Sequence, residues 1–448
     1  MKHNKITICA AALAVLLSAC GNTDNIPENT ATAPLPAATE AVNETTAAET
    51  TTAASETEAA ETTISETEAE TKTEETTVKK ESVPEETTAK PKKEKKTATL
   101  PGRSNDMVDA EITELEYEFD AGLDGNIITG YTGKNKNIRF PAEIDGVKTV
   151  GVKLPETPNL NNIELPDSVV TIDFSYCQNL ETIKLSAGLT KIPEDAFEEC
   201  KSLTSIDIPN GITTIERGAF SSCKALASVT LPNTLTTIGE SAFRSCGLEE
   251  ITIPSSVTEI GYAAFEYCES LKTINFPNTP ISFKDSVFNN CSSLEEVTLS
   301  CGIGEDSGCE IFAHCQNLKK VTAYGTLSHS YSTYNGTDYY CRDFRIFAYC
   351  PSLEEVVLIS TPDTEFILSN STFEECTALK TIDMSQCDNL VLCDYVFREC
   401  SSLQKLDLPD STKRIIQRTS PFYDTSESLV VTYKGKEYNY TNFDEMFN

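Results

Sequence analysis

The sequence predicts a repeat solenoid, a coil of short parallel strands in which each turn covers the one before it. Three observations predict it. Cys177, Cys200, Cys223 and Cys246 follow one another at intervals of 23 residues, and Cys268, Cys291, Cys315, Cys350, Cys376 and Cys400 continue the series with growing irregularity. A fixed period in the range of roughly 20 to 50 residues marks stacked-repeat architecture. The neighbours of the cysteines repeat too: Leu180, Leu203 and Leu226 stand three residues on, Ile183, Ile206 and Val229 six on, and Leu185, Ile208 and Leu231 eight on. Finally, a single unit of this length cannot bury its own apolar face, so stacking of neighbours is what makes a core. The repeats and one long low-complexity segment use up nearly all of the 448 residues, which leaves room for one folded domain.

The chain opens on a sorting signal, residues 1–19. Lys2 and Lys5 supply its charge, Ile6 to Leu17 its apolar run, and Leu17-Ser18-Ala19-Cys20 its small-residue cleavage site. The apolar run is too short for a permanent membrane span. Its ending resembles the lipobox of bacterial lipoproteins, and the resemblance implies that Cys20 is acylated and becomes the first residue of the mature chain. An ordinary secretory signal is the alternative. Either reading exports the protein; the first holds it at the extracellular face of the cell membrane, with the lipid as its only membrane contact.

Residues 20–105 follow as a tether. Thr, Glu and Ala dominate, with no period of 2 or 3.6 and hardly a branched or aromatic residue, so nothing there can form a core and disorder is expected. A flexible chain of this length has a mean end-to-end distance of about 50 Å. Asn22 to Val78 is acidic and Lys79 to Lys96 is lysine-rich. The basic end reads chiefly as solvated linker, with contact to an anionic wall polymer or lipid as the alternative.

The folded domain spans residues 106–448, with an N-terminal cap over about 106–150, repeats over about 151–421 and a C-terminal cap over about 422–448. Asn126 to Val150 alternates short apolar runs with Gly, Asn and Pro, the pattern of strands and turns. In each repeat the Leu-x-x-Ile-x-Leu spacing ends in a period of two and suits a short strand with one face inward. Pro209, Pro232, Pro254 and Pro277 come next and stop that strand, because proline cannot donate to a ladder. Ile192, Ile215, Ile238 and Ile260 mark a second inward segment on the return side. Ala-Phe-x-x-Cys is expected to close the coil as one helical or 3₁₀ turn. At the far end, Leu429 to Tyr440 reads as two strands around Lys434-Gly435.

Ile253 to Leu271, IPSSVTEIGYAAFEYCESL, resembles the BspA-type leucine-rich repeat of bacterial surface proteins, and the resemblance runs from about Ile127 to Phe422. It implies a right-handed extracellular solenoid used in adhesion and in binding host or matrix proteins. After Cys291 the prolines are lost and the spacing varies, so the resemblance there carries the fold and not a ligand.

Composition narrows the chemistry. The domain keeps a net charge of −27, which argues against nucleic acid as a partner. The repeat cysteines read as buried thiols at a tight inward corner. Cys301, Cys309, Cys341, Cys387 and Cys393 lie off the period and are the candidates for disulfides, though an odd number cannot all pair. No metal-ligand spacing exists, no cofactor is expected, and a His314–Cys315 nucleophile is disfavoured because adjacent side chains diverge. No catalytic residue is predicted.

Two stretches are predicted to bind. The first is the insertion between Cys315 and Cys350, where the spacing grows to 35 residues and Tyr324, His329, Tyr331, Tyr334, Tyr339 and Tyr340 collect. Insertions in repeat arrays project from one face, and tyrosine offers contact area at low entropic cost. The second is the outward side of the strand row: Lys184, Asp207, Thr230, Thr252, Asn275 and Thr298. The reading is a monomeric surface protein that binds an extracellular protein or glycan. The alternative is a structural or display element without a defined ligand.

Overall fold

The computed structural model describes residues 107–446 apart from 301, 304–306, 328–331, 335–336, 340–343, 361–364 and 415–419. The described part is a solenoid of parallel strands with about 12 turns. The two 3₁₀ helices among the described residues, Ile112–Glu114 and Phe443–Glu445, stand at its ends. No helix among these residues is long and apolar enough to cross a membrane.

Each coil has three sides. The first carries the strand expected from the Leu-x-x-Ile-x-Leu spacing, as in Thr182–Lys184, Ser205–Asp207, Ser228–Thr230, Glu250–Thr252 and Thr273–Asn275. Its central residue points inward: Ile183, Ile206, Ile251 and Ile274 are buried. In regular coils the following proline ends this strand, and its carbonyl accepts the first turn bond, as in Ile212 N–H to Pro209 and Val257 N–H to Pro254. Where the proline is missing the strand grows. Glu296–Leu299, Lys320–Tyr324, Glu355–Ile359 and Thr381–Gln386 lengthen from four residues to six, and Lys405–Asp407, followed by Pro409, is short again. The second side is the row Lys191–Ile192, Thr214–Ile215, Thr237–Ile238, Glu259–Ile260 and Ser282–Phe283, parallel and in register.

The third side is the Ala-Phe-x-x-Cys segment, and it departs from the helical turn expected. Cys200 N–H bonds Phe197 and Glu198 N–H bonds Asp195, both i to i−3, but Asp195 and Glu199 have φ of 54° and 60°. A left-handed residue at two points breaks any helix. It also turns alternate amides toward the next coil, so Asp195, Phe197 and Glu199 donate to Arg217, Ala219 and Ser221 at 2.8–2.9 Å. The residue before every repeat cysteine, from Tyr176 to Glu399, has this conformation. The turn side is therefore a third ladder.

Inside, the phenylalanines stack. Eleven rings from Phe174 to Phe422 lie 5.0–6.1 Å apart and within 15° of parallel, the offset arrangement that ring quadrupoles prefer. Beside them each repeat cysteine donates its thiol to a backbone carbonyl of the preceding coil: Cys200 to Phe174, Cys223 to Phe197, Cys246 to Phe220, at 3.0–3.2 Å. The same bond recurs to Cys400, whose acceptor is Phe373. These thiols are buried and free. Burial pushes Cys177 up to about 11 and raises Cys223, Cys246, Cys268 and Cys291 as well.

Each end carries an antiparallel hairpin. Leu115–Asp120 and Gly125–Tyr131 precede the first coils. At the other end Val430–Tyr433 joins Lys405–Asp407 and turns through Lys434 and Gly435, with φ of 49° and 72°, into Lys436–Tyr438. A two-residue turn with both φ positive matches the twist of the strands it joins.

Candidate binding surface

The outward positions of the first row form a surface in register. Asp207 lies beside Thr230, Thr252 beside Asn275 and Thr298 beside Thr322. Lys184, Asp207, Thr230, Thr252, Asn275 and Thr298 are all exposed. Neighbouring strands place such side chains about 4.8 Å apart. The positions are not equivalent. Lys184 holds Glu164 at 2.6 Å, Arg139 holds the same carboxylate at 2.9 Å, and Arg139 reaches Asp109 at 3.2 Å. Lys184 and then Arg139 keep the Glu164 carboxyl below its ordinary range. This end of the row is a closed charge network, whereas the Asn275 side-chain amide donates sideways to the Thr252 hydroxyl at 3.1 Å. The neutral middle, Thr230 to Thr298, is the part that presents side-chain amide and hydroxyl groups without ion pairs among the described residues.

Next to this face runs a charge ladder. Glu249, Lys272, Glu295 and Lys319 occupy one position in four successive coils and alternate in sign, with Lys272–Glu249 at 3.1 Å and Lys319–Glu295 at 3.0 Å. Lys380 and Glu354 repeat the pairing at 2.7 Å.

The insertion leaves the coil without disturbing it. Lys320–Tyr324 pairs in register with Glu355–Ile359 across it, and Phe312 stacks on Phe347 at 5.2 Å. Gly325 donates to Ile359, the Thr326 hydroxyl accepts from Ile367 N–H, and Leu327 is fully buried, so these three residues belong to the solenoid. Beyond them Ser332–Tyr334 pairs antiparallel with Thr337–Tyr339, a hairpin that has no other strand partner among the described residues. Tyr334 and Tyr339 are in that hairpin; His329, Tyr331 and Tyr340 lie outside the described residues, as does Cys20. Tyr324 ends its strand 39% exposed, on the same outward parity as Thr322, so the strand face runs up to the three coil residues that precede the insertion.

The third side holds polar and aromatic groups that the sequence reading did not single out. Arg244 lies over the Tyr267 ring at 5.3 Å and bonds Glu266 at 2.7 Å. His314 stacks on Tyr349 with centroids 4.6 Å apart and planes 5° apart, while the thiol of Cys315 points into the core toward the Phe288 carbonyl. The two side chains of the conceivable thiol–imidazole pair thus diverge. Glu374, with its side chain 3% exposed, sits between Arg398 at 2.8 Å and Arg345 at 3.2 Å. The signal for this face was available: the residue before each repeat cysteine is Tyr176, Tyr267, His314 or Tyr349 in four of the ten coils.

Of the off-period cysteines, Cys387 is a buried free thiol pushed up to about 12 by burial, Cys393 is buried and Cys309 half-buried. Cys301 and Cys341 lie outside the described residues. Among the described residues no cluster of three or more His, Cys, Asp and Glu could hold a metal ion.

Stacked coils with a continuous apolar spine and variable outward residues define a leucine-rich-repeat scaffold, a class that binds proteins. The model of the BspA type leucine rich repeat region matches in six copies over residues 152–272, 237–337 and 343–442, more than half of the chain. The chain belongs to the BspA-type leucine-rich-repeat family. Among solved structures it is similar to a leucine-rich-repeat protein of Treponema pallidum, with 32% identity over 42% of this chain and 91% of that one and a TM-score of 0.39. It is also similar to a leucine-rich cell-surface protein of Faecalibacterium prausnitzii A2-165, with 23% identity, 75% and 96% coverage and a TM-score of 0.36. A leucine-rich-repeat protein of Bacteroides ovatus shares 21% identity with 72% and 99% coverage and a TM-score of 0.37. No curated protein matches the chain.

Proposed function

We propose that this chain is a cell-surface binding protein that recognises an extracellular protein or glycan, held to the membrane by a lipid on Cys20 and carried clear of it by residues 20–105. The observation that carries the reading is the insertion. Twelve residues more than the regular period are accommodated with strand register and ring stacking intact on both sides. Such a segment is not needed for the core and is therefore open to selection for contact. Its tyrosines, together with Tyr324 and the neutral stretch Thr230, Thr252, Asn275 and Thr298, make the contact surface.

The exported chain is to be screened on an array of glycans and matrix proteins. Binding at micromolar concentration is expected, and an array without a positive favours a structural role. Because Gly325, Thr326 and Leu327 are part of the coil, the variant that tests the site removes twelve residues from within 328–343 and restores the 23-residue spacing. It should melt as the parent does and lose at least tenfold in affinity; undiminished binding moves the site elsewhere. Cys20→Ala should release the protein into the medium, and retention at the membrane contradicts the anchor.

A further inference from the structure

The first hairpin of the solenoid leaves one edge of a sheet open. Leu115–Asp120 pairs with Gly125–Tyr131 on one side and, among the described residues, with no strand on the other. Two strands further in, Val147–Lys153 is paired on both sides. The register sets Tyr117 opposite Ile128 and Phe119 opposite Asn126, residues that are 0% and 5% exposed. Opposed residues on paired strands share a face, so Tyr117 shares one with Ile128, a residue of the solenoid core, and Phe119 with Asn126. Phe119 is nevertheless 57% exposed. Beside it Leu123, Val147 and Val150 line an open groove of about 560 Å³, together with Asp124 and Lys148. Val108, Ile112, Leu123 and Val170 are also more than two-fifths exposed at this end.

Natural proteins shield open edges because unpaired N–H and C=O groups recruit another strand. Charged side chains, lysine above all, and proline are the common shields, and on this strand the charges are all acidic. From Asp109 to Asp124 the chain carries seven carboxylates and no lysine or arginine. Glu116 and Glu118 lie on the open strand itself and are exposed. A second copy added to this edge would set acidic strand against acidic strand, and like charges directly opposed destabilise a pair.

We propose that the edge of Leu115–Asp120 is a peptide-binding site that takes an extended segment of another protein in which apolar and basic residues alternate. The backbone of the guest continues the sheet, its apolar side chains cover Phe119 and the groove, and its basic side chains meet Glu116 and Glu118. This is strand addition, with affinity from main-chain hydrogen bonds and selectivity from alternate side chains. The site is at the opposite end of the repeats from the C-terminal hairpin and does not depend on the role of the insertion.

The test is fluorescence anisotropy of a labelled ten-residue peptide of alternating lysine and valine added to the full-length chain. Binding in the micromolar range is expected, with none by the glutamate–valine counterpart. The double variant E116K/E118K should weaken binding at least tenfold. Independently of any effect on folding, one of two peptides N-methylated on alternate amides should also lose at least tenfold. Absence of binding by the lysine–valine peptide overturns the proposal, and so does equal binding by both methylated peptides, which reports charge attraction without strand addition. A dimer in sedimentation that Phe119→Lys dissociates assigns the edge to a second copy and overturns it as well.

Discussion

Cys223 is fully buried, and its thiol meets the carbonyl of Phe197 at 3.1 Å while Cys200 N–H meets the same carbonyl at 3.2 Å. A small side chain fits this corner, but only one with a donor also satisfies the second lone pair of the acceptor. Cys223→Ala should therefore cost about 1–2 kcal/mol, from a lost weak hydrogen bond and a small void, read as a shift in urea midpoint. The repeated thiols also give the domain a pH dependence. Unfolded thiols release protons near pH 8.5, and burial raises the folded values, to about 11 at Cys177. The folded chain then binds more protons than the unfolded one, so stability is fully present below pH 8.5 and declines as pH rises toward the folded values. Thermal melts from pH 7 to 10.5 should show a plateau and then a fall. A flat profile would mean that the thiols are not held protonated.

Within a coil, the core spine and the surface ladder differ in worth. Phe243 stacks on Phe220 at 5.1 Å and Phe265 at 5.2 Å and is fully buried. Replacing such a side chain with alanine costs about 3–5 kcal/mol. Lys272 makes its ion pair at the surface, with both side chains 60% exposed, and exposed pairs contribute roughly 0–1 kcal/mol. Phe243→Ala should thus lower the melting temperature strongly and Lys272→Ala hardly at all. A large effect of the second would show the alternating charges to be a cooperative network. The strand that follows the cysteine was legible because its period of two and its terminal proline are local signals. The turn side was not, because positive φ at Asp195, Glu199 and their counterparts falls on residues of many types and depends on the next coil accepting the amides they reorient.

The molecule as a whole is held by contacts between neighbouring coils, so stability adds up along the stack. Removing Lys201 to Cys223, one period, joins Cys200 to Lys224 and keeps the Cys-x-x-Leu spacing. The shortened chain should still fold, with Phe197 stacking on Phe243 and a somewhat lower melting temperature. Loss of folding would show that the regular coils are not interchangeable. The caps obey the same logic at the ends, where a coil lacks one neighbour: the C-terminal hairpin turns back on itself, and the N-terminal one leaves Phe119 in the open.

The sequence by itself determined the architecture. A 23-residue period, inward residues two apart and a stop after each strand admit few folds other than stacked coils, because each of these is a local property repeated in place. The tertiary structure decided what the exceptions mean. Whether the residues between Cys315 and Cys350 break the stack or leave it depends on Tyr324 and Ile359 meeting across them. Whether Lys184 is available depends on Glu164 in the coil before it. The openness of the edge at Leu115–Asp120 likewise depends on which strands lie beside it. All three are relations between residues far apart in the chain, and a period read along the chain carries no information about them.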